Sequence, residues 1–338
     1  MLIKIHAAWW GWRGKFWRGQ VLKNAFYVFL AIMVAVFGSV HSYAVDARSA
    51  KLNQRTVGLL VSQPQFIGEA MKIANSVDHT DGLRVLPILG RGGLQSLNDL
   101  LFLRGVDVTL LSSDSLAFAR KNNLYTDEVG RISYLAKIGN KNIVVLAKQE
   151  FATLESLAGK RVAVGPTESD EFVVADLVFG SMGLNIEKIS LMGSSAVEAL
   201  QAGHADAAIF SGIPPDFASL QASDGVHVLP IQLNASLSEI YTPAILTDQD
   251  MPTLLAAGKT LETIAAAEVL AVFNWPAKSE RYFKLEKFNR ALFSTYFSSV
   301  KKEGNTNYLA AVPGWKPYVT VKQTSGERRV PTNTLAVN

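Results

Sequence analysis

The sequence predicts a two-lobe α/β fold, each lobe a mostly parallel sheet flanked by helices, with a ligand cleft between the lobes. Three observations predict it. From residue 55 onward, short apolar runs alternate with amphipathic helical stretches, the pattern of parallel βαβ units. The pattern restarts near residue 150. One motif also occurs twice, about a hundred residues apart, as Gly105-Val106-Asp107-Val108-Thr109-Leu110-Leu111-Ser112 and Gly203-His204-Ala205-Asp206-Ala207-Ala208-Ile209-Phe210-Ser211. In each copy a Gly ends a helix, an all-apolar run suits a strand buried on both faces, and a Ser stands five residues after the Asp. Ligands of open α/β sheets sit at the carboxyl ends of the strands. Two equivalent edges therefore imply two lobes facing one site.

Residues 56–61 read as a strand and 67–77 as a helix. Residues 83–89 read as a strand broken by Pro87, 94–103 as a helix, and 106–111 as a strand. Residues 132–138 and 143–147 are two strands around Gly139-Asn140-Lys141-Asn142, either a hairpin or a crossing connection. In the second half a short helix stopped by Gly159 runs into a strand ending at Gly165. A helix follows from about 170 to 182, a strand over 186–191, a helix over 196–201, and strands over 206–210 and 226–230. Residues 244–246 and 264–274 are late strands, and 279–302 is one long amphipathic helix with a polar tail after Tyr318. The late return of strand and helix predicts that the chain crosses back to complete the first lobe. Lobe 1 is expected over 52–147 plus 246–318, lobe 2 over 148–245, and a polar tail over 319–338.

The first 44 residues differ in kind. Lys4, Arg13, Lys15, Arg18 and Lys23 form a basic segment with no acidic residue. Residues 25–40 are uncharged and apolar, and Ser42-Tyr43-Ala44 offers small residues at the −3 and −1 positions. This is the pattern of a secretory signal peptide cleaved after Ala44. Sixteen residues are short for a span of about 20. Trp9, Trp10, Trp12 and Trp17 keep an uncleaved membrane anchor as the alternative. Without the leader, 28 of the 33 Lys and Arg remain against 29 Asp and Glu, so a nucleic-acid partner loses its electrostatic basis. The chain has no Cys, which excludes disulfides, thiolate catalysis and Cys-ligated metals. His79, His204 and His227 are scattered, with no metal-ligand spacing, so no cofactor or metal is expected.

Residues 153–211 resemble the second lobe of periplasmic solute-binding proteins of the type II fold. The resemblance rests on Leu154-Glu155-Ser156-Leu157-Ala158-Gly159-Lys160-Arg161-Val162-Ala163-Val164-Gly165 and on Ala199-Leu200-Gln201-Ala202-Gly203-His204-Ala205-Asp206-Ala207. With residues 250–254, 269–275 and 279–300 added, the chain is most similar to the TAXI subgroup of TRAP-transporter solute-binding subunits, over about 50–318. It differs at the first loop, where Ser62-Gln63-Pro64-Gln65-Phe66 replaces a Gly-rich turn. The resemblance implies a periplasmic, monomeric, non-enzymatic protein that captures a small polar or charged organic solute by hinge closure. Membrane permease subunits of a transporter would receive it. A sensory module signalling to a membrane partner, and an enzyme on the same scaffold, are the competing classes.

Candidate ligand contacts follow from the strand ends. Gln63 and Gln65 lie in the first loop. Gly92 and Gly93 let backbone approach a ligand at a helix N-terminus, and Arg91 offers a bidentate clamp on a carboxylate. The competing role for this loop is an ordinary turn. Ser112, Ser113 and Asp114 stand at the end of the first repeat strand and compete with a helix-capping role. Thr167 and Ser169 offer hydroxyls in lobe 2, whereas Glu168, Asp170 and Glu171 are explained by a solvated, dipole-stabilised helix start. Turned inward, these acids would favour a neutral or amine-bearing solute over a dianion. Ser211 ends the second repeat strand, and Tyr241 and Lys137 lie near the crossover segments. Asp107 and Asp206, at the opposite ends of their strands, are expected to cap turns.

Overall fold

The computed structural model describes residues 54–302 except 79, 214–216, 218–219 and 222–223; the leader and the tail lie outside the described residues. The first half runs β1 (Thr56–Val61), α1 (Ile67–Val77), β2 (Arg84–Leu89), α2 (Gly93–Phe102), β3 (Val108–Ser112), α3 (Ser113–Lys121) and α4 (Thr126–Val129) into β4 (Ile132–Lys148). The second runs β5 (Arg161–Ala163), α5 (Asp170–Ser181), β6 (Glu187–Ile189), α6 (Ser194–Gln201), β7 (Ala207–Ser211), β8 (Val226–Leu229) and α7 (Ala235–Ser238). The chain then returns through β9 (Thr242–Thr247), β10 (Thr260–Phe273), α8 (Glu280–Ser294) and α9 (Tyr296–Lys302).

Strand order is β2-β1-β3-β10-β4-β7-β5-β6, with β8 also on β4 and β9 also on β10. Within the first half β1 pairs parallel with β2 and β3, and within the second β5 pairs parallel with β6 and β7. The two halves are thus the same three-stranded parallel unit used twice. β4 joins them. Its residues 132–142 pair antiparallel with β10, and residues 143–148 with β7 and β8.

The Gly139–Asn142 segment is therefore a crossing, and the hairpin alternative is not realised. β10 runs beside the segment and supplies its ladder bonds, while register shifts after Glu268 and Leu270 absorb the irregularity. Pro87 does not break its strand either. β2 lies at the edge of the sheet, where a missing N–H is tolerated. The expected long C-terminal helix is two helices, parted at Thr295, whose hydroxyl donates to the Ala291 carbonyl at 2.7 Å and competes with the backbone ladder.

Asp107 and Asp206 do more than cap turns. Asp107 Oδ2 accepts from the Gly58 N–H at 3.0 Å, and the Asp107 N–H donates to the Gly58 carbonyl at 3.0 Å. Asp206 Oδ2 accepts from the Arg161 N–H at 3.1 Å, and the Asp206 N–H donates to the Arg161 carbonyl at 2.8 Å. Each Asp pins the residue before its own strand to the neighbouring parallel strand. Each also receives cations: Lys284 on Asp107 at 2.7 Å, and Lys148 and Arg161 on Asp206 at 3.0 and 2.8 Å.

One apolar core lies under α2, α3 and α5 and is continuous through both halves, because β4 and β10 carry Tyr134, Val145 and Ala267 into it. A second packs α1, α8 and α9 on the other face of the first half, and a third packs α6 against β7 and β8. Gly58 marks the tightest approach. A Cβ there would overlap the carbonyl of Gly105, which lies in the turn between α2 and β3. Gly58→Ala is expected to destabilise the protein by roughly 2 kcal/mol or more, read as a lower urea midpoint at unchanged slope.

Candidate functional site

The segments that follow the strands of the two parallel units come into contact, Gly93 after β2 with Asp170 after β5, and α3 with α5. After β2 the backbone turns through Gly92 at φ 119°, a conformation suited to glycine, and α2 begins at Gly93. After β3, Ser112 leads directly into α3 without a side-chain capping bond. After β5, Ser169 caps α5 by accepting from the Phe172 N–H at 3.1 Å. Phe118 of α3 meets Phe172 of α5 edge-on, ring centres 6.3 Å apart.

At the centre lies an ion pair. Lys141 of β4 donates to Asp170 Oδ2 at 3.0 Å, with the two side chains only 2% and 0% exposed. Asp170 Oδ1 accepts from the Gly93 N–H at 2.6 Å, tying the start of α5 to the start of α2. Tyr241 is buried beside them and donates to Asp114 Oδ2 at 3.4 Å. Several atoms in this buried region have no partner: Asp114 Oδ1, Glu171 Oε2 and the hydroxyls of Ser62, Ser115 and Ser211, while the Ser112 hydroxyl bonds the Asp114 carboxylate.

The acids outnumber the ammonium. Burial raises the pKa of Asp114, with Asp170 adding to the rise and Lys141 opposing it. Burial likewise raises Glu171, again helped by Asp170. Glu268 of β10 is pushed up to about 7, chiefly by burial, with Glu69 and Asp170 adding and Lys141 opposing. Burial pulls the Lys141 ammonium down, but Asp170, Asp114 and Glu268 together hold it above its ordinary value. Burial and Asp114 drive Tyr241 well above the usual phenol range.

Lys141 and Glu268 also line a cleft of about 1010 Å³ whose wall includes Gln65, Glu69, Asn140 and Gly212. The closed polar cluster thus borders an open cleft through these two side chains.

The NMT1-like family model matches residues 97–278, more than half of the chain. The chain belongs to the NMT1-like family. The matched span runs from α2 past β10 and holds most of the cluster. No curated protein matches the chain. Solved structures similar to it include a TctC solute-binding protein from Polaromonas, 15% identical over 77% of this chain and 92% of that one, TM-score 0.43. The periplasmic aliphatic sulphonate binding protein SsuA from Escherichia coli is 17% identical, over 74% and 71%, TM-score 0.41. The amino acid transporter substrate-binding protein AbpA from Streptococcus pneumoniae, bound to L-arginine, is 12% identical, over 77% and 93%, TM-score 0.44.

The structure brings many of the residues singled out in the sequence to this one place. Gly93, Ser112, Asp114, Ser211 and Tyr241 lie in or beside the cluster, all buried. Gly92 is buried at its margin, and its N–H donates to the Ser62 carbonyl at 2.8 Å. Ser113 is already used: its hydroxyl accepts from the Ala267 N–H at 3.2 Å. Ser169 is committed to its cap. Gln63 accepts from Gln65 at 2.6 Å near the cleft rim, while Arg91 and Thr167 are exposed. Lys137 is buried on β4, and desolvation draws its ammonium pKa down.

Asp170 and Glu171 are the main correction. They are buried, with Asp170 2% exposed, rather than solvated helix-start acids. Lys141, Glu268 and Ser115 escaped the sequence reading. Glu268 is the one charge in the run from Thr263 to Phe273, and such a lone acid in a buried strand was the signal available.

Because the folded-state value of Glu268 stands above its ordinary 4.5, folding favours the protonated carboxyl. Its contribution to stability is complete below about pH 4.5 and is lost as pH rises through about 7. Glu268→Gln removes that loss. Relative to wild type, the variant is expected to gain up to about 3 kcal/mol between pH 5 and pH 8, read from urea midpoints at the two values. A difference that does not change with pH would contradict the assignment.

Proposed function

We propose that this chain is an exported solute-binding protein that captures a small polar organic solute between two lobes and delivers it to a membrane transporter. The observation that carries the reading is the convergence of α2, α3 and α5 N-termini and of both Ser-ended repeat strands on one buried cluster with unpartnered oxygens. Buried polar groups without partners each cost about 1–3 kcal/mol. A solute that supplies their hydrogen bonds relieves that cost only when contacts from both halves exist together, so binding favours the closed arrangement.

Membership of the NMT1-like family supports the reading. On it, lobe 1 is 52–147 plus 246–318 and lobe 2 is 148–245, with β4 as the crossing strand. Residues 1–44 are the export leader, and the protein works as a periplasmic monomer of the TAXI type, partnered by permease subunits. Binding is favoured over catalysis because the buried serines have no base. Of the described histidines, His204 is exposed, and His227 Nε2 is bonded to the Phe151 carbonyl at 2.7 Å.

Mass spectrometry of co-purifying small molecules, followed by calorimetry with the species found, tests the proposal. Ser112→Ala and Ser211→Ala are each expected to weaken binding of that species by roughly 3- to 10-fold, the loss of one hydrogen bond. Unchanged affinity in both variants would overturn the assignment of the site.

A further inference from the structure

Asp170 is held as a bound anion would be held. One carboxylate oxygen takes the Gly93 N–H at 2.6 Å, at the start of the ten-residue helix α2, and the other takes the Lys141 ammonium at 3.0 Å. A helix N-terminus and an ammonium are the two donors that a protein offers to a carboxylate or phosphate. Here the carboxylate belongs to the protein itself and reaches across from the opposite half. Space around it is specified too. A Cβ on Gly93 would overlap the Ser115 hydroxyl and come within 3.0 Å of Asp170 Oδ1.

The atoms left over are of the opposite kind. Asp114 Oδ1 and Glu171 Oε2 are buried acceptors without a partner, and the hydroxyls of Ser115 and Ser211 are equally unpaired. Asp114, Asp170, Glu171 and Glu268 share the field of one ammonium, Lys141. Such an excess of buried acid calls for protons or for a further cation. Among the described residues no group of three or more His, Asp or Glu is placed to hold a metal ion. The cation that fits is organic, with several N–H donors.

We propose, resting on the solute-binding reading, that Asp170 is a built-in carboxylate filling the anion-binding end of the interlobe site, so that the solute accepted is amine-bearing and not a carboxylate. The solute's ammonium is received by Asp114 and Glu171, and the serine hydroxyls accept or donate around it.

Two thermal-unfolding experiments test this. In the first, acetate and formate are titrated against Asp170→Ala, which vacates the anion end and leaves Lys141 unpaired. Acetate is expected to raise the variant's Tm by roughly 5–10 °C at about a hundredfold excess over its dissociation constant. It should leave wild type and the shape-preserving Asp170→Asn unchanged. No rise in the variant, or an equal rise in all three, overturns the proposal. In the second, wild type is screened with cadaverine, agmatine and propylammonium against succinate, glutarate and neutral sugars. Stabilisation by an amine alone is expected, and stabilisation by a carboxylate or a sugar instead overturns the solute class, whether or not the Asp170 variants fold. Acetate rescue of Asp170→Ala with no response of wild type to any solute would sink the solute-binding reading while leaving the role of Asp170 standing.

Discussion

The buried contact of Lys141 with Asp170, completed by the Gly93 amide, is the constraint on which the meeting of the two halves depends. It involves three parts of the chain at once: the crossing strand β4, the start of α5 in the second half and the start of α2 in the first. Taking either ion out of a buried pair leaves the other uncompensated at a cost of about 3–5 kcal/mol, comparable to the net stability of many domains. The pair cannot be explained as a simple source of stability, since well-packed apolar residues often serve as well. What it does is fix how the two edges meet. An Asp held by a backbone N–H and an ammonium has one position, so the halves meet in one register.

The repeated motif explains why two edges exist to be closed. Asp107 and Asp206 make the same pair of backbone contacts, each to the strand beside its own, and so set β3 against β1 and β7 against β5 in equivalent registers. Register decides which residue stands at the carboxyl end. With these pins in place, Ser112 and Ser211 arrive at matching positions on their sheets, and the helices that follow β3 and β5 start where the partner half can reach them. The acids of the motif thus act far from the cluster and still determine its composition, through geometry alone.

Much of this architecture was legible in the sequence, for physical reasons particular to each segment. The strands β1, β3 and β7 are apolar runs, the last two preceded by Gly and Asp, and α1 has an amphipathic period, so their bounds agree closely with the reading. Gly139-Asn140-Lys141-Asn142 left a hairpin and a crossing both open, because turn residues outside a turn are recognised only through their partner, and β10 lies more than a hundred residues downstream. Thr295 breaks a helix through its own hydroxyl, a local competition that periodicity does not register. At the site, the serines and Tyr241 could be placed because strand ends are visible. The acids Asp170 and Glu171 looked like ordinary helix-start residues, and nothing local distinguishes a solvated acid from one that a second lobe will cover.

That last ambiguity is also the functional point. Ser169, Asp170 and Glu171 satisfy helix-capping preference whether or not the halves are closed, since the Ser169 cap and the helix dipole are local. Closure changes only what surrounds the two acids. In water they are stable as anions; under α2 and α3 they lose solvent, and Glu171 and Asp114 become harder to ionise. The desolvation cost of burying these acids rises with the number of charges left unmatched, and Lys141 pairs with only one of the carboxylates nearby. On the solute-binding reading proposed above, a positive or proton-donating occupant that neutralises the remainder is what would favour the closed form.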